Sequence, residues 1–235
     1  GGDELVRHTA RFHPTLMALF KDHTIQDRCI LPGAGFVEMA LATALRTGRA
    51  STQAHAVLHE VTFLEPFDLQ EGATLIAECP GDDGVALAFR TADAAHPVCT
   101  VTRLQASSAA AALVDVNEAD ASLATVQARC IAEVAELPAR YAAFEAGGNH
   151  GPQFQTLDRV WASPDGTELV ARLRVPAALH AERYHLHPAV LDGVFQLGGF
   201  VDTKPHDTRA WVPAAIAHVS YDRTTTLYAP SEGTT

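Results

Sequence analysis

The chain has 235 residues, 47% of them hydrophobic and 19% charged, a composition typical of a globular protein that can bury a core. Its formal net charge of −11 disfavours a nucleic-acid-binding protein, because phosphate binding needs a dense basic surface. No apolar run approaches the roughly 20 residues that span a bilayer, and four widely spaced cysteines favour free thiols in a reducing compartment, here the cytoplasm.

The first half of the sequence has the pattern of one buried helix surrounded by strands. After Pro32-Gly33-Ala34-Gly35, residues 36–45 place apolar side chains three or four positions apart with almost no polar residue between them. This pattern predicts a helix that is buried on all sides. Short apolar or β-branched segments, each bounded by turn residues, predict strands at 56–67, 74–79, 85–90 and 98–104.

The second half repeats this arrangement after an alanine- and serine-rich stretch at 106–112. A helix begins at His187-Pro188, because proline suits the first helical turn, and strands are predicted at 159–162, 168–175 and 211–221. A buried helix wrapped by antiparallel strands, found twice, predicts an α+β protein with a double hotdog fold. The predicted units are an N-terminal hotdog at 1–108, a linker at 109–126 and a C-terminal hotdog at 127–235.

His23 is the first residue that could carry chemistry. It lies just before the apolar segment that leads to Pro32 and the buried helix. Loss of water there would keep an imidazole neutral and able to accept a proton. The alternative is a core or loop histidine hydrogen-bonded to the main chain, which is the commoner role of a single histidine.

Asp192 is the second candidate, on the helix that begins at His187-Pro188. Gln196 follows one helical turn later on the same face, so its amide could orient the carboxyl group. The apolar neighbours Val190 and Leu191 favour a protonated carboxyl group that can act as an acid. The alternative is an exposed aspartate in the first turn, stabilised by the helix dipole.

A glycine-rich loop at 147–157 is the third candidate. Gly151 and Pro152 predict a tight turn before a strand, with His150 and Phe154 on either side. The main-chain N–H groups of this loop could polarise a carbonyl group. The alternative is a β-turn without a chemical role.

These motifs occur in a fixed order along the chain: His23 with Pro32-Gly33-Ala34, then Glu38-Met39-Ala40, the 148–155 segment, and His187-Pro188 with Leu191-Asp192 and Gln196. In this order they resemble the dehydratase domains of modular polyketide synthases. The resemblance extends from about His13 to about Tyr221, and its strength lies in the order, since each motif alone is weak. The family continues with further strands after Tyr221, so we expect a second hotdog that is either abbreviated or only partly contained in this sequence.

The resemblance implies two hotdogs packed side by side around a substrate tunnel, with His23 and Asp192 as the catalytic residues of a hydro-lyase. The implied reaction removes water from a 3-hydroxyacyl thioester on the phosphopantetheine arm of an acyl carrier protein and leaves a 2,3-enoyl thioester. His23 would take the C2 proton, and Asp192 would protonate the departing hydroxyl group. The helix N-terminus after Pro32, or the Gly151-Pro152 loop, would bind the thioester oxygen.

The resemblance also implies the surroundings of this chemistry. The domain itself would bind no cofactor and no metal. Its partners would be the acyl carrier protein and the neighbouring synthase domains, with a homodimer as an option. Substrate contacts are implied for Gln196, Pro32, Gly33, His150, Gly151, Pro152 and Phe154.

Two positions depart from the family pattern. Asp27 stands where the family usually has glycine; aspartate tolerates a left-handed backbone, but its carboxylate would favour a protonated His23. His150 replaces a tyrosine and puts an imidazole near the tunnel mouth or the acyl chain. These changes leave three alternatives open, namely a pyran-forming cyclase, an enoyl isomerase on the same fold, and a catalytically silent structural module.

Overall fold

The structure is a computed structural model of the chain. It describes residues 5–47, 55–80, 87–107, 123–144, 149–175, 183–200 and 212–222. None of the helices in these ranges is long and apolar enough to cross a membrane.

A six-stranded antiparallel sheet forms the largest layer of the molecule. Across the sheet its strands are β1 (Leu5–Arg11), β5 (Thr74–Pro80), β6 (Leu87–Thr91), β7 (Cys99–Ser107), β4 (His55–Phe63) and β12 (Ala215–Asp222). In β6, Leu87 and Phe89 are buried while the residues between and after them are less so, as strand alternation requires. The strands predicted in the first half are confirmed, with shifts of a few residues at their ends.

The last strand of this sheet comes from the second half of the sequence. β12 pairs with β4, so that Tyr221 lies opposite Ala56. The predicted C-terminal hotdog includes these residues, but in the structure they extend the sheet of the N-terminal half. The predicted linker lies outside the described residues except for its last four, which open α3 (Leu123–Arg129). The domain boundaries therefore remain a prediction.

The helix predicted at 36–45 is confirmed, but it begins about one turn earlier. α2 (Gly33–Thr47) starts directly after Pro32, whose carbonyl oxygen accepts the N–H of Gly35 at 2.8 Å. Val37 and Leu41 are completely buried. The small apolar side chains therefore allow the helix to pack closely against the sheet, as the pattern predicts.

The second half has a smaller sheet and a second buried helix. The sheet consists of β11 (Leu169–Leu173), β10 (Leu157–Ala162) and β8 (Ala132–Glu133). α5 (Pro188–Gln196) begins where predicted, with Pro188 in its first turn, and it packs against α2. At Gly193 a Cβ atom would lie 2.2 Å from the Thr156 hydroxyl oxygen, so only glycine lets α5 approach this closely.

A third, small sheet joins the two halves. It consists of β3 (Arg28–Cys29), β2 (His23–Ile25) and β9 (Asn149–His150). The turn between β2 and β3 has φ values of 50° at Gln26 and 61° at Asp27, the left-handed pair of a type I′ turn. The expectation that Asp27 preserves the turn is thus confirmed.

Several elements lack a sequence signal strong enough to predict them. The β2–β3–β9 sheet is too short for a period to show, and β8 has only two residues. The others are β1, α3, α1 (Pro14–Phe20), α4 (Leu137–Phe144) and a 3-10 turn at Leu197–Phe200.

Candidate active site

His23 is oriented by the main chain of its own hairpin. It opens β2 with its side chain buried, and its ring Nδ1 lies 2.9 Å from the carbonyl oxygen of Ile30. The Ile30 N–H in turn donates to the His23 carbonyl oxygen at 3.3 Å. Because a carbonyl can only accept, Nδ1 must carry the proton, and in the neutral ring Nε2 keeps its lone pair. His23 is therefore a buried histidine bonded to the main chain that still presents a basic nitrogen.

Asp192 is oriented by side chains. It is buried on α5, and the Gln196 amide one turn later donates to its Oδ2 at 2.8 Å, as the four-residue spacing predicts. The same amide nitrogen donates to the Phe154 carbonyl oxygen at 3.0 Å. Burial rules out the alternative of an exposed first-turn aspartate.

Tyr141 supports Gln196 from behind. Its hydroxyl group donates to Gln196 Oε1 at 2.9 Å and accepts the main-chain N–H of Leu157 at 3.3 Å. Burial raises the pKa of this phenol to about 12, against the opposing hydrogen bond from Leu157, so the hydroxyl keeps its proton and can donate. Tyr141 lies on α4, outside every sequence motif, so no signal in the sequence identifies it.

The two candidates meet in the interior. His23 Nε2 lies 3.9 Å from Asp192 Oδ1, although the residues come from opposite halves of the chain. This distance is too long for a direct hydrogen bond. Each group can therefore contact a different atom of a molecule that is bound against both of them.

His150 lies beside this pair. It is the direct partner of His23 in the pairing of β2 with β9, which places both side chains on one face. Its Nε2 lies 3.6 Å from Asp192 Oδ2, and its ring centroid lies 5.6 Å from that of His23. Burial lowers the pKa of His150, and nearby His23 lowers it further, against the opposing effect of Asp192. The ring is therefore neutral at neutral pH.

The 151–155 loop does not offer the N–H groups that the sequence analysis considers for carbonyl binding. The Gly151 N–H donates to the Asp22 carbonyl oxygen at 2.7 Å, and the Gln153 N–H donates to the Asp22 carboxylate at 3.0 Å. The N–H groups of Phe154 and Gln155 both donate to the Gly151 carbonyl oxygen. The loop folds onto itself and onto the end of α1, so these N–H groups already have acceptors. The prediction that they bind a carbonyl group of a substrate is wrong.

The remaining residues predicted to contact substrate differ in burial and in their position relative to His23. Phe154 is completely buried with its ring 5.3 Å from the His23 ring, whereas Pro152 is exposed. Pro32 and Gly33 follow Ile30, whose carbonyl holds His23, by two and three residues. A Cβ atom at Gly33 would lie 2.9 Å from the Phe63 ring.

Asp27 is separate from this site. It is exposed at the tip of the β2–β3 turn, and among the described ion pairs that of His23 is with Asp192. No hydrogen bond or ion pair between Asp27 and His23 is among the described contacts, so the effect of Asp27 on His23 stays a prediction.

Comparison with known families covers both halves of the chain. A model described as the polyketide synthase dehydratase domain matches residues 2–92, and one described as the polyketide synthase dehydratase N-terminal domain matches residues 118–235. The chain belongs to the polyketide synthase dehydratase family. The family is named for a dehydration reaction.

Curated relatives of this dehydratase domain are much longer proteins. Polyketide synthase GfsE of Streptomyces halstedii is 34% identical over 193 residues, which cover 78% of this chain and 5% of the relative. Polyketide synthase ThaG of Burkholderia thailandensis is 33% identical over 182 residues, which cover 74% of this chain and 3% of the relative. The dehydratase chain therefore spans only 3–5% of the length of these relatives.

Solved structures of other dehydratase domains share the fold. The dehydratase domain from the CurK module of curacin polyketide synthase has a TM-score of 0.77 at 18% identity, covering 96% of this chain and 80% of that chain. The dehydratase domain of PpsC from Mycobacterium tuberculosis has a TM-score of 0.66 at 22% identity, covering 86% of this chain and 70% of that chain. The double hotdog fold predicted from the sequence is confirmed by this likeness.

Proposed function

We propose that this domain removes water from a 3-hydroxyacyl thioester carried on the phosphopantetheine arm of an acyl carrier protein. The observation that carries the proposal is the 3.9 Å separation of His23 Nε2 and Asp192 Oδ1, both buried and contributed by different halves of the fold. A base and an acid at this spacing fit the two ends of a C2–C3 bond. The same closeness argues against a catalytically silent module.

His23 is the base in this proposal. Its Nε2 lone pair takes the C2 proton, and the Ile30 carbonyl stabilises the imidazolium that forms, since it already accepts the Nδ1 proton at 2.9 Å. This carbonyl is part of the main chain, so the orientation of the ring does not depend on another side chain. The Phe154 ring beside it excludes water from one side.

Asp192 is the acid. The Gln196 amide donates to Oδ2, which keeps that oxygen an acceptor and leaves Oδ1 to hold the proton. As the C2–H bond breaks, its electron pair forms the C2=C3 double bond, and the C3–O bond breaks to a hydroxyl group that Asp192 protonates to water. The proton on His23 then returns to Oδ1 through the water molecule that the reaction releases, because 3.9 Å is too long for a direct transfer, and both groups are restored.

The thioester oxygen needs a hydrogen-bond donor while C2 loses its proton. The sequence predicts two possible donors, the 151–152 loop and the start of the helix after Pro32. The Gly151 N–H already donates to the Asp22 carbonyl oxygen. We therefore assign the role to the N-terminus of α2, where Gly33 follows Pro32 and unpaired main-chain N–H groups are characteristic of a helix start.

The proposed reaction needs no cofactor, because the acid, the base and the oxygen-binding N–H all belong to the chain. Its partners are the acyl carrier protein that brings the substrate and the neighbouring synthase domains, with a homodimer as a further option. The free cysteines support a reducing compartment such as the cytoplasm.

Mass spectrometry of a carrier-bound 3-hydroxyacyl chain tests this proposal. Loss of one water, with an enoyl product on chromatography, is the expected result. A matched chain without the 3-hydroxyl group must stay unchanged. A heterocycle would instead identify a cyclase, a shifted alkene an isomerase, and an unchanged substrate a silent module, and each of these results would overturn the proposal.

A further inference from the structure

We propose that His23, His150 and Asp192 together form a binding site for a divalent transition-metal ion such as Zn²⁺, and that the bound ion blocks dehydration. The candidate ligand atoms are the Nε2 atoms of both histidines and the carboxylate of Asp192, and they all lie within 4.8 Å of one another. Metal binding stands on this geometry alone, whereas the inhibition rests on the proposed function.

The spacing of the ligand atoms is close to what zinc requires. Zinc binds imidazole nitrogen and carboxylate oxygen at about 2.0–2.2 Å, which puts neighbouring ligand atoms roughly 3.3–3.6 Å apart. His150 Nε2 and Asp192 Oδ2 are already 3.6 Å apart, and His23 Nε2 and Asp192 Oδ1 are 3.9 Å apart. Shifts of a few tenths of an ångström would bring each histidine within range of Asp192. The two imidazole nitrogens lie within 4.8 Å of each other and would have to approach by up to about 1.2 Å.

The protonation states suit a metal. A ligating histidine must be neutral with its lone pair directed at the ion. His23 donates from Nδ1 to Ile30, which leaves Nε2 as the acceptor that faces Asp192. His150 directs its own Nε2 at the same carboxylate, 3.6 Å from Asp192 Oδ2.

A second layer of hydrogen bonds holds two of the three ligands, His23 and Asp192. The Ile30 carbonyl fixes the tautomer of His23, the Gln196 amide fixes the Asp192 carboxylate, and Tyr141 fixes Gln196. Such outer partners are characteristic of protein metal sites, because they orient the ligands before the ion arrives.

The ligand types select the ion. Two imidazoles and one carboxylate suit zinc and its neighbours in the transition series, whereas Mg²⁺ and Ca²⁺ prefer all-oxygen surroundings. Three protein ligands leave a fourth position open. The proposed metal site depends on His150, because without it the catalytic pair offers only two ligands.

The bound ion would compete with the proposed reaction. It would occupy the Nε2 lone pair that His23 needs as a base and would draw in the Asp192 carboxylate that must supply a proton. Zinc would therefore inhibit the enzyme, and removal of zinc by a chelator would restore activity.

Titration of the purified chain with Co²⁺, followed by visible absorption, and with Zn²⁺, followed by calorimetry, tests the site without turnover. One equivalent is expected to bind. Loss of an outer partner already costs about 10- to 100-fold in affinity, so His150→Phe is expected to weaken binding at least about tenfold. The isosteric Asp192→Asn provides a second variant, and His96→Phe, at an exposed histidine, is the control that should bind normally.

The same variants separate the site from the reaction. Zinc is expected to inhibit dehydration by the unaltered domain, while the activity that His150→Phe retains should need at least tenfold more zinc for half-inhibition. Equal binding by His150→Phe and the unaltered chain, or no binding to either, would overturn the metal site. Zinc binding by a chain that does not dehydrate would remove the proposed function and leave the site standing.

Discussion

In the first half of the molecule the main chain orients the functional side chain, and in the second half other side chains do. His23 is held by the carbonyl oxygen of Ile30, which belongs to its own hairpin. Asp192 is held by Gln196, and Gln196 is held by Tyr141. A main-chain contact survives almost any substitution that preserves the hairpin. A relay of side chains can be cut at each of its members.

The far end of the relay also has a different packing. α2 and the start of α5 at Ala189 lie in a large continuous core that includes the six-stranded sheet, whereas Tyr141 belongs to a small separate cluster with Leu157 and Val160. Substitutions near Tyr141 should therefore affect the position of the Asp192 carboxyl group more readily than substitutions near His23 affect the imidazole. The predictions below test this difference.

The largest effect is expected from removal of the imidazole itself. His23→Ala should lower kcat by about 10²- to 10⁴-fold, the usual contribution of a positioned acid–base group. The free energy of unfolding should fall by only about 1–3 kcal/mol, since one buried carbonyl loses its partner. Single-turnover assays and urea unfolding measure the two quantities, with His96→Ala as the surface control. Near-normal turnover by folded His23→Ala would contradict the assignment of the base.

Gln196→Ala should give the next largest effect. The Asp192 carboxyl group would lose its 2.8 Å donor, and misplacement by about 1 Å can cost on the order of 10²-fold in kcat. Tyr141→Phe should act in the same direction but less strongly, because Gln196 keeps its bond to the Phe154 carbonyl. Steady-state kinetics should show the loss in kcat more than in KM.

A matched control exists for this relay. Gln153 also donates its side-chain amide to a main-chain carbonyl, that of Ala18, but on the exposed surface. Gln153→Ala should leave kcat nearly unchanged. If Gln196→Ala behaves like Gln153→Ala, the side chains do not orient Asp192 and the contrast between the halves disappears.

The contacts of the site also show which of its features can be predicted from the sequence. Asp192 and Gln196 are recognisable together because they lie one helical turn apart, a local relation that spacing encodes. The buried helices follow from periodicity for the same reason. Tyr141 reaches Gln196, and His150 reaches Asp192, through space from other segments, and no local pattern records such contacts.

Glu38 also links the two halves of the chain. Here a side chain of the first half binds the main chain of the second half. Its carboxylate on α2 accepts the N–H groups of His185 and Leu186 at 3.0 and 2.8 Å. Burial raises the pKa of Glu38 to about 7, although the two hydrogen bonds oppose the rise. The folded chain thus binds this proton more tightly than the unfolded chain, whose carboxyl group titrates near 4.5.

The contribution of Glu38 to stability should therefore be complete below about pH 4.5 and be lost as pH rises to about 7, by up to roughly 3 kcal/mol. Glu38→Gln should flatten the pH dependence of the free energy of unfolding over this window. Urea unfolding at several pH values measures it, with Glu65→Gln, at an exposed glutamate, as the control. Parallel curves for Glu38→Gln and the unaltered chain would show that the proton on Glu38 does not matter to folding.

The smallest effect is expected at the turn that carries no functional side chain. Asp27→Gly removes the strain of a left-handed aspartate with φ of 61°, but glycine gains more freedom in the unfolded chain, by about 0.5–1 kcal/mol. The two contributions nearly cancel, so the free energy of unfolding should change by less than about 1 kcal/mol. Turnover should stay the same near neutral pH, because the Ile30 carbonyl still holds the His23 ring. Gln26→Gly, at the other turn residue, is the matched control. A large loss of turnover with Asp27→Gly alone would mean that a side chain also orients His23, and the two halves would then hold their functional groups in the same way.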